Sequence, residues 1–389
     1  MGKTLKAGII GAGLLGAQHA EFLHNHSAVQ VAAVADVRLE VAERVAARVG
    51  AQAYSDYHEM LRGQALDLVV VATPDPLHRE PTVAALEAGV PNIILEKPLA
   101  TTLEDGEAIY NAVEKHKARL FVNFANRAVP TDFATRYVIQ QGLLGRVVYG
   151  ESRLDDNISV PTKLWGERSQ AWASGSSTAH FLLSHVVDLL RWYFAPAEVK
   201  ETFAIVQQAV LGFTPDVYDA FLSFDTGLKV RVKAEWIKHI DELVEFYMCF
   251  SGSEGTVIYN KRAGFAAQSG WRANLAQSLT PEQLLAHQNA LLAQGANLKA
   301  LLHRPTPTTG QLAAGGGELV PALEYVGPCS VGLAAMVGPF IDAILEGTLE
   351  PKNWAGRGPL PTHLDGLKQT QIVAAIIRSS ITGRVIEIR

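Results

Sequence analysis

A glycine-rich turn near the N-terminus is the first feature of this sequence that could do chemistry. It reads Gly11-Ala12-Gly13-Leu14-Leu15-Gly16, after a short apolar run and before a stretch with helical spacing. In such a strand–turn–helix the first glycine permits the tight turn, the second lets the backbone approach a pyrophosphate, and the third lets helix and strand pack closely. The helix N-terminus also favours the phosphate charge. We therefore expect a dinucleotide to bind here, with contacts from Gly11, Gly13, Leu14, Leu15 and Gly16.

An acidic residue at the end of the next apolar run bears on which dinucleotide binds. Asp36 follows Val29–Ala35, and a carboxylate in this position accepts hydrogen bonds from the adenine ribose and repels a 2′-phosphate. Arg38 is of the type that accommodates that phosphate, which keeps NADP as an alternative. We expect NAD, bound in part by Asp36, Val37 and Arg38.

Two further apolar runs end in residues that could face the same cofactor. Asp67–Ala72 leads into Thr73-Pro74-Asp75-Pro76-Leu77-His78, and Asn92–Leu95 leads into Glu96-Lys97-Pro98. Ligands bind outside the carboxyl ends of parallel strands, so we expect both segments to line the crevice, with the Lys97 ammonium donating to a substrate oxygen. A single histidine such as His78 is more often structural than catalytic. The remaining expected cofactor contacts are Ala72, Thr73, Pro74, His78, Glu96, Lys97 and Asn126.

The elements that position these residues alternate between strand and helix up to about residue 125. The strands lack polar alternation, and helical stretches such as Glu40–Val49 and Leu103–Lys117 separate them. This pattern predicts an α/β fold that begins with a doubly wound parallel sheet, covered on both faces. Residues 1–125 are therefore predicted to form a Rossmann domain.

After residue 125 the strands are grouped together. Their succession without intervening helices predicts a C-terminal α+β domain, residues 126–389, with a large, mainly antiparallel open sheet. The predicted strands of this sheet include Phe203–Val210, Asp219–Phe224, Leu228–Trp236 and Glu245–Ser251.

Helices and loops complete the predicted second domain. Thr178–Tyr193 has strong helical spacing, and residues 264–325 read as an insertion or loop-rich segment. That segment is predicted to hold a helix over Pro281–Leu302 and a loop over Pro305–Gly317, which is rich in Pro, Thr and Gly. The last helices, Val331–Leu345 and Leu364–Ser380, are expected to pack back toward the Rossmann domain.

Composition excludes several classes of function. The chain has 389 residues, a formal net charge of −5 and no basic runs, which argues against nucleic acid or an anionic membrane surface as a partner. Two cysteines make neither a disulfide framework nor a zinc site. No apolar stretch reaches the length of a membrane span. We expect a cytoplasmic protein.

Taken together, the motifs resemble those of the Gfo/Idh/MocA oxidoreductase family, which includes inositol dehydrogenases and glucose–fructose oxidoreductase. The resemblance covers nearly the whole chain, and it rests on the glycine turn, Asp36, the Thr73–His78 loop, Glu96-Lys97-Pro98 and His185-Val186-Val187-Asp188. It implies that Lys97 contacts the reacting hydroxyl and the cofactor. It also implies that His185 exchanges the hydroxyl proton while hydride moves to nicotinamide.

One position departs from the family pattern. The family usually has aspartate one helical turn before that histidine, where this chain has Phe181. Phe181, His185 and Asp188 share a broad helix face, with His180 at its edge. The departure implies either a different substrate or replacement of the carboxylate by His180 or Asp188. A metal between His180 and His185 is not expected, because their rings lie well apart around the helix and no further ligand is obvious.

Other polar and aromatic residues are also predicted to contact substrate, on weaker sequence signals than those for Lys97 and His185. Trp165 could pack on a sugar face and Arg168 could hold an anionic group. Trp236 and His239 fit a subunit interface at least as well as they fit a substrate contact, because the family's open sheet often packs against another subunit. A homodimer or homotetramer through that sheet is expected. The full set of predicted substrate contacts is Lys97, Arg127, Asn157, Trp165, Arg168, His180, Phe181, His185 and Asp188.

The resemblance favours one function and leaves two alternatives. The favoured function is an NAD-dependent dehydrogenase that oxidises a secondary hydroxyl of a sugar, inositol or related polyol. Phe181 keeps open a glycosidase that oxidises its sugar transiently and returns the hydride. A cofactor-binding regulator without catalysis is the third possibility, and the presence of both Lys97 and His185 argues against it.

Overall fold

The computed structural model describes residues 4–264, 268–303, 319–327, 329, 331–332 and 334–388. The predicted loop Pro305–Gly317 lies outside the described residues. The chain divides into two compact units, each discontinuous in sequence. The first comprises Met1–Arg127, Trp172–Asp188 and Val331–Ala374, and the second comprises Ala128–Ala171, Leu189–Ser330 and Ala375–Arg389.

The described part of the first unit contains a six-stranded parallel sheet with the order β3-β2-β1-β4-β5-β6. This architecture confirms the predicted doubly wound sheet. The strands are β1 (Leu5–Ile10), β2 (Val29–Ala35), β3 (Gln52–Tyr54), β4 (Leu68–Val71), β5 (Asn92–Glu96) and β6 (Arg119–Asn123). The connecting helices are α1 (Leu14–His24), α2 (Leu39–Val49), α3 (Tyr57–Gly63), α4 (Arg79–Glu87) and α5 (Leu103–His116).

Burial explains why this sheet forms. Every residue of β4 and β5 is buried, as expected of central parallel strands covered by helices on both faces. The strand order reverses between β1 and β4, which is the switch point where ligands bind in such sheets. The glycine turn follows β1 and the Thr73–His78 loop follows β4, so both predicted cofactor segments lie at this point.

The described part of the second unit contains a ten-stranded sheet with the order β14-β15-β13-β12-β11-β7-β10-β9-β8-β16. The pairs are antiparallel except β7 with β10, which confirms the predicted mainly antiparallel sheet. Its strands are β7 (Val147–Asn157), β8 (Val199–Gln207), β9 (Val217–Phe224), β10 (Lys229–Lys238), β11 (Val244–Gly252), β12 (Thr256–Arg262), β13 (Gly270–Asn274), β14 (Lys299–His303), β15 (Val320–Val326) and β16 (Ile386–Glu387).

The remaining helices follow the predictions in part. They are α6 (Pro130–Gln140), α7 (Ser159–Thr162), α8 (Ser169–Gly175), α9 (Ser184–Phe194), α10 (Pro281–Ala293), α11 (Val337–Glu346) and α12 (His363–Thr382). In the first unit, α11 packs against the sheet through Phe340, whose ring stacks on Phe121 of β6 with centroids 4.9 Å apart. Among the helices of the described residues, none is both long and apolar enough to cross a membrane.

Two helix predictions need correction. The helix predicted over Pro281–Leu302 is wrong beyond Ala293, because Gly295 takes φ +81° and the chain then extends into β14. The helix predicted over Thr178–Tyr193 is not regular, since Ala179–Leu183 forms a π-helical turn before α9. The domain limits 1–125 and 126–389 stay a prediction, and the compact units differ from them by placing 172–188 and 331–374 with the first.

Candidate active site

The glycine turn has the geometry that a dinucleotide requires. Gly11 takes φ +90°, and a Cβ there would lie 2.6 Å from the Ala72 carbonyl oxygen. A Cβ on Gly16 would lie 1.8 Å from the Gly11 oxygen, whereas no described atom lies within 4 Å of a Cβ built on Gly13. Gly13 also precedes α1 without a side-chain cap, so the first amides of the helix remain available to a phosphate.

Asp36 is tied to this turn. Its Oδ2 accepts a hydrogen bond of 3.0 Å from the Ala12 amide, and its Oδ1 accepts one of 3.0 Å from the Arg38 amide. The Arg38 Nε lies 3.5 Å from the same Oδ1. Leu14, which follows Gly13, and Val37, which follows Asp36, both have exposed side chains. Together the open space at Gly13, the uncapped helix and the oriented carboxylate fit NAD.

His78 anchors the loop after β4. Its Nδ1 lies 2.7 Å from the Pro98 oxygen and its Nε2 lies 3.1 Å from the Thr73 oxygen. Burial lowers the pKa of His78, although Asp75 and the two carbonyls act in the opposite direction. The buried ring therefore connects the loop to the segment after Lys97. In this position His78 has a structural role.

Glu96, which directly precedes Lys97, is also buried. Its Oε1 lies 2.6 Å from the Nε2 of His19 on α1 and accepts a hydrogen bond of 2.7 Å from the Asn123 amide at the end of β6. Burial acts to raise the pKa of Glu96, but the hydrogen bonds from His19 and Asn123 and the nearby Lys97 charge outweigh it and lower the pKa. Glu96 thus joins α1, β5 and β6. Sequence reasoning missed His19. It lies three residues after Gly16, so helical spacing places both on the buried side of α1.

Lys97 lies against the π-helical turn. Its Nζ donates a hydrogen bond of 3.1 Å to the Phe181 carbonyl oxygen and stands 3.7 Å from the centroid of the Phe181 ring. An ammonium over an aromatic face is attracted by the ring quadrupole. Single π-helical turns are frequent at functional sites. The residue that departs from the family pattern therefore touches the predicted catalytic lysine.

Trp172 and Phe181 form an aromatic corner beside Lys97. Their rings meet edge to face, with centroids 4.8 Å apart. The Trp172 Nε1 donates a 2.8 Å hydrogen bond to the Asp75 Oδ1, and Ser176 Oγ donates one of 2.5 Å to the other carboxylate oxygen. Asp75 is buried, so the corner is fixed to the loop after β4. Trp172 was not predicted, because its place depends on this distant carboxylate.

His185 stands at the start of α9, half-buried, and contacts the turn that follows β6. The Nδ1 of His185 lies 3.1 Å from the Nδ2 of Asn126. Asn126 was predicted as a cofactor contact, and the structure places its amide on the predicted catalytic histidine.

Arg127 and Asp188 form a buried ion pair next to that contact. The guanidinium donates to both carboxylate oxygens, at 3.0 and 2.6 Å, and reaches Asp365 of α12 at 3.3 Å. Burial acts to lower the pKa of Arg127, but Asp188 and Asp365 outweigh it and raise the pKa. Both residues were predicted to contact substrate, and here they bind each other, which locks α9 to the end of β6.

The other predicted substrate contacts are more scattered. His180 has its Nδ1 2.9 Å from the Ser177 Oγ, and burial lowers the pKa of His180 against the effects of Asp75 and the Thr101 backbone. Asn157 uses both ends of its amide on the backbone, donating to Ile240 and accepting from Ser159. In the second unit, Trp165 is half-buried and Arg168 is exposed.

The first unit thus brings Lys97 and His185 to one end of a parallel sheet. A half-buried ammonium can stabilise a developing alkoxide, and an imidazole can exchange a proton near neutral pH. The described residues contain no group of three or more His, Cys, Asp or Glu placed to hold a metal ion. The arrangement suits proton transfer coupled to hydride transfer at a carbinol.

Comparison with known proteins identifies the family. Residues 5–124 match the oxidoreductase family with an NAD-binding Rossmann fold, and residues 134–258 match the Gfo/Idh/MocA C-terminal domain. The chain belongs to the Gfo/Idh/MocA family. Its first unit holds that family's NAD-binding fold, and NAD is its cofactor.

Two curated members of the Gfo/Idh/MocA family illustrate the similarity. A levoglucosan dehydrogenase of Pseudarthrobacter phenanthrenivorans is 32% identical over 200 residues, which are 49% of this chain and 51% of the relative. An inositol 2-dehydrogenase of Saccharopolyspora erythraea is 32% identical over 239 residues, 60% of this chain and 66% of the relative. The matches therefore span about half to two thirds of these relatives.

Solved structures show the same fold over the whole chain. Levoglucosan dehydrogenase in complex with NADH and L-sorbose superposes with a TM-score of 0.74 at 22% identity and covers 99% of both chains. The myo-inositol 2-dehydrogenase of Lactobacillus plantarum gives a TM-score of 0.71 at 19% identity and covers 100% of both chains.

Proposed function

We propose that this protein is an NAD-dependent dehydrogenase that oxidises a secondary hydroxyl of a sugar, inositol or related polyol. One observation carries the proposal: Lys97 Nζ is held on the Phe181 carbonyl, one helical turn before His185. The two groups that proton and alkoxide chemistry needs are thereby held by consecutive turns beside an NAD-binding fold. The curated relatives that are named as inositol and levoglucosan dehydrogenases support this class of substrate.

In the proposed reaction the substrate hydroxyl lies between Lys97 and His185. His185 takes the hydroxyl proton, and the Lys97 ammonium donates a hydrogen bond to the oxygen as negative charge develops. Bound NAD supplies the hydride acceptor. Gly11, Gly13 and the α1 N-terminus would hold its pyrophosphate, and Asp36 its adenine ribose.

The aromatic corner would shape the substrate site. We propose that Phe181 and Trp172 present an apolar wall to the C–H face of a sugar ring, because aromatic faces pack against such surfaces. His180, Asn157, Trp165 and Arg168 stay predicted substrate contacts. Arg127 and Asp188 act in this proposal by positioning His185.

A panel of sugars, inositols and polyols tests the proposal. The purified protein is incubated with each compound and NAD, with NADP in parallel, and NADH formation is followed by absorbance. At least one secondary alcohol should give substrate-dependent NADH, with NAD preferred. No reduction of either dinucleotide by any secondary alcohol, in a protein that binds NAD, would contradict the proposal.

One observation favours a second function. The carboxylate usual before His185 is replaced by Phe181, which packs on Lys97, and this keeps open an NAD-dependent glycosidase that oxidises its sugar transiently. Incubation with glycosides separates the two functions. Bond cleavage that requires NAD and leaves no net NADH would favour the glycosidase, whereas stoichiometric NADH favours the dehydrogenase.

We further propose that the protein is a cytoplasmic homodimer or homotetramer assembled through its large sheet. Phe203 of β8 and Phe221 of β9 are paired in register, and both are exposed, as is Ile205. Adjacent exposed apolar side chains on one sheet face are typical of protein–protein interfaces. Light scattering should show an oligomer that Phe221→Lys weakens, and a monomer would contradict the assembly. Fractionation of the producing cells tests the location.

A further inference from the structure

This chain has Phe181 where the family usually has an aspartate, one helical turn before His185, and the side chain of Asn126 contacts the His185 ring. The Nδ1 of His185 lies 3.1 Å from the Asn126 amide. We propose that Asn126 is the positioning residue of His185, and that its neutral amide holds the imidazole in the orientation and tautomer that accept the substrate proton. This inference rests on the proposed function only where turnover is the readout.

The backbone around Asn126 is built to hold it in place. Asn126 lies in the 3₁₀ turn Ala125–Ala128 directly after β6, and the Arg127 amide donates to the Phe124 oxygen at 3.0 Å. Phe124 is buried. Residues 126 and 127 then contact α9 at two points, since Arg127 binds Asp188 while Asn126 meets His185. Because His185 and Asp188 are three residues apart on one helix, the two contacts fix both rotation and height of α9.

An amide can serve both protonation states of the ring. A carboxamide offers two N–H donors on one side and a carbonyl acceptor on the other, and rotation about its terminal bond exchanges them. In the structure the Asn126 Nδ2 faces the His185 Nδ1. A half-turn of the carboxamide about its Cβ–Cγ bond brings the oxygen to the ring instead, so that Nδ1–H donates to it and Nε2 keeps the lone pair that takes the substrate proton. The same contact persists when His185 becomes an imidazolium, because Nδ1–H is then still a donor.

The charge of this partner sets the pH response. A carboxylate beside an imidazole stabilises the imidazolium and shifts the titration to higher pH, whereas an amide carries no charge. Within the first unit, the charged groups close to the start of α9 are Lys97 after β5, Arg127 after β6, Asp188 on α9 and Asp365 on α12. Asp188 and Asp365 are both engaged by Arg127. Asn126→Asp therefore adds a negative charge at the ring itself.

The proposal predicts a specific effect of Asn126→Asp. The acid limb of the pH profile of kcat/KM for alcohol oxidation should move to higher pH by about one unit or more, because the base form of the ring then appears at higher pH. Asn111→Asp is the matched control, since Asn111 is an exposed residue of α5 and its variant adds the same charge elsewhere. An acid limb that stays in place in Asn126→Asp would overturn the proposal.

Nuclear magnetic resonance separates this inference from the proposed function. In protein labelled with ¹⁵N-histidine, the His185 signals are assigned with His185→Gln and titrated without substrate. The His185 midpoint should lie higher in Asn126→Asp than in wild type and be unchanged in Asn111→Asp. Equal midpoints would overturn the positioning role even in an active enzyme. The midpoint could shift as expected while His185→Ala still turns over substrate. That result would refute the catalytic role of His185 and leave the positioning role of Asn126 intact.

Asn126→Ala keeps the proposal testable should the aspartate variant not fold. Without the amide the ring loses its orientation, so kcat should fall roughly tenfold with little change in KM. Its acid limb should not move to higher pH, because no charge has been added. Thermal unfolding should stay close to wild type. An unchanged kcat in this variant would overturn the proposal.

Discussion

Each unit of this protein buries a carboxylate against a cation, and the surroundings of the two pairs differ. In the first unit Arg127 binds Asp188 next to the half-buried His185. In the second unit Lys261 binds Asp132, and the other oxygen of that carboxylate accepts a 2.6 Å hydrogen bond from the Tyr193 hydroxyl. The Lys261 ammonium also lies 4.9 Å from the Phe246 ring centroid.

Burial acts to lower the pKa of both cations, but their net pKa shifts are opposite. Burial raises the pKa of Asp132 and lowers that of Lys261, so both groups shift toward the neutral form. Arg127 has its pKa raised instead, because Asp188 and the part-exposed Asp365 together outweigh burial. The guanidinium thus stays charged beside the candidate active site, while the second pair is a closed structural cluster.

A buried ion pair therefore does not by itself mark a functional site. The first pair gains significance from its neighbours, since half-buried Lys97 and His185 stand at the carboxyl end of a parallel sheet. Perturbed groups become functional candidates when they sit in such a place, because structural ion pairs also shift pKa values.

Breaking the pair in the second unit should have the largest effect on stability. Lys261→Met leaves Asp132 buried without its cation, and the free energy of unfolding should fall by about 3–5 kcal/mol. The double variant Asp132→Leu/Lys261→Met should recover most of this loss in urea unfolding. In both, kcat/KM per folded molecule should match wild type. A loss of turnover in the stable double variant would break the comparison.

Removing both members of the pair in the first unit should separate stability from turnover. Arg127→Met/Asp188→Leu exchanges the charges for apolar groups, which is often nearly neutral for stability. We expect kcat to fall roughly tenfold, because α9 loses the contact that sets the height of His185. Urea unfolding and steady-state kinetics check both parts. Full turnover in this double variant would contradict the comparison, because neither ion pair would then matter for catalysis.

Two glycine substitutions sharpen the distinction between fold and site within the first unit. Gly13→Ala meets open space, so the free energy of unfolding should not change, but NAD should bind roughly tenfold more weakly because the methyl group occupies the pyrophosphate side. Gly16→Ala places a Cβ on the Gly11 oxygen and should lower stability as well. Calorimetry and urea unfolding measure both. Unimpaired NAD binding by Gly13→Ala would refute the assigned cofactor position.

The smallest expected effect is a pH dependence of stability from His78. Its folded pKa is lowered by burial, so below the ordinary value near 6.5 the unfolded chain binds more protons than the folded one. Its contribution is fully present above that pH and is lost as pH falls. His78→Gln keeps N–H donors for the carbonyls and cannot titrate. The slope of unfolding free energy between pH 5 and pH 7 should therefore be shallower in this variant, and an equal slope would contradict it.

Local patterns in the sequence predicted the glycine turn, Asp36 and five strands of the parallel sheet, because each depends on neighbours in the chain. The three-residue edge strand β3 was missed, since so short a run carries no distinct pattern. They also predicted Lys97 and His185 through the family resemblance. They did not predict that Asn126 contacts His185 or that Trp172 reaches Asp75, since these contacts join residues far apart in sequence. The end of α10 was wrong because a helical spacing continues past Gly295, where the backbone turns left-handed.

The pairing of Arg127 with Asp188 could not be predicted from the sequence either. Helical spacing placed Asp188 on the face of His185, and the order of elements placed Arg127 at the sheet edge. Spacing along one element does not reveal which charge from another element covers it, so the sequence left both residues as candidate substrate contacts. Their mutual hydrogen bonds appear only when the chain is folded.

The most direct test of the account is the turnover of Lys97→Ala and His185→Ala with the best substrate of the panel. Each should lower kcat/KM by about 10²–10⁴-fold, with thermal unfolding close to wild type and, for His185→Ala, NAD binding unchanged. Lys115→Ala and His116→Ala, which change exposed residues of α5, should retain full activity. Turnover left intact by either Lys97→Ala or His185→Ala would contradict the account.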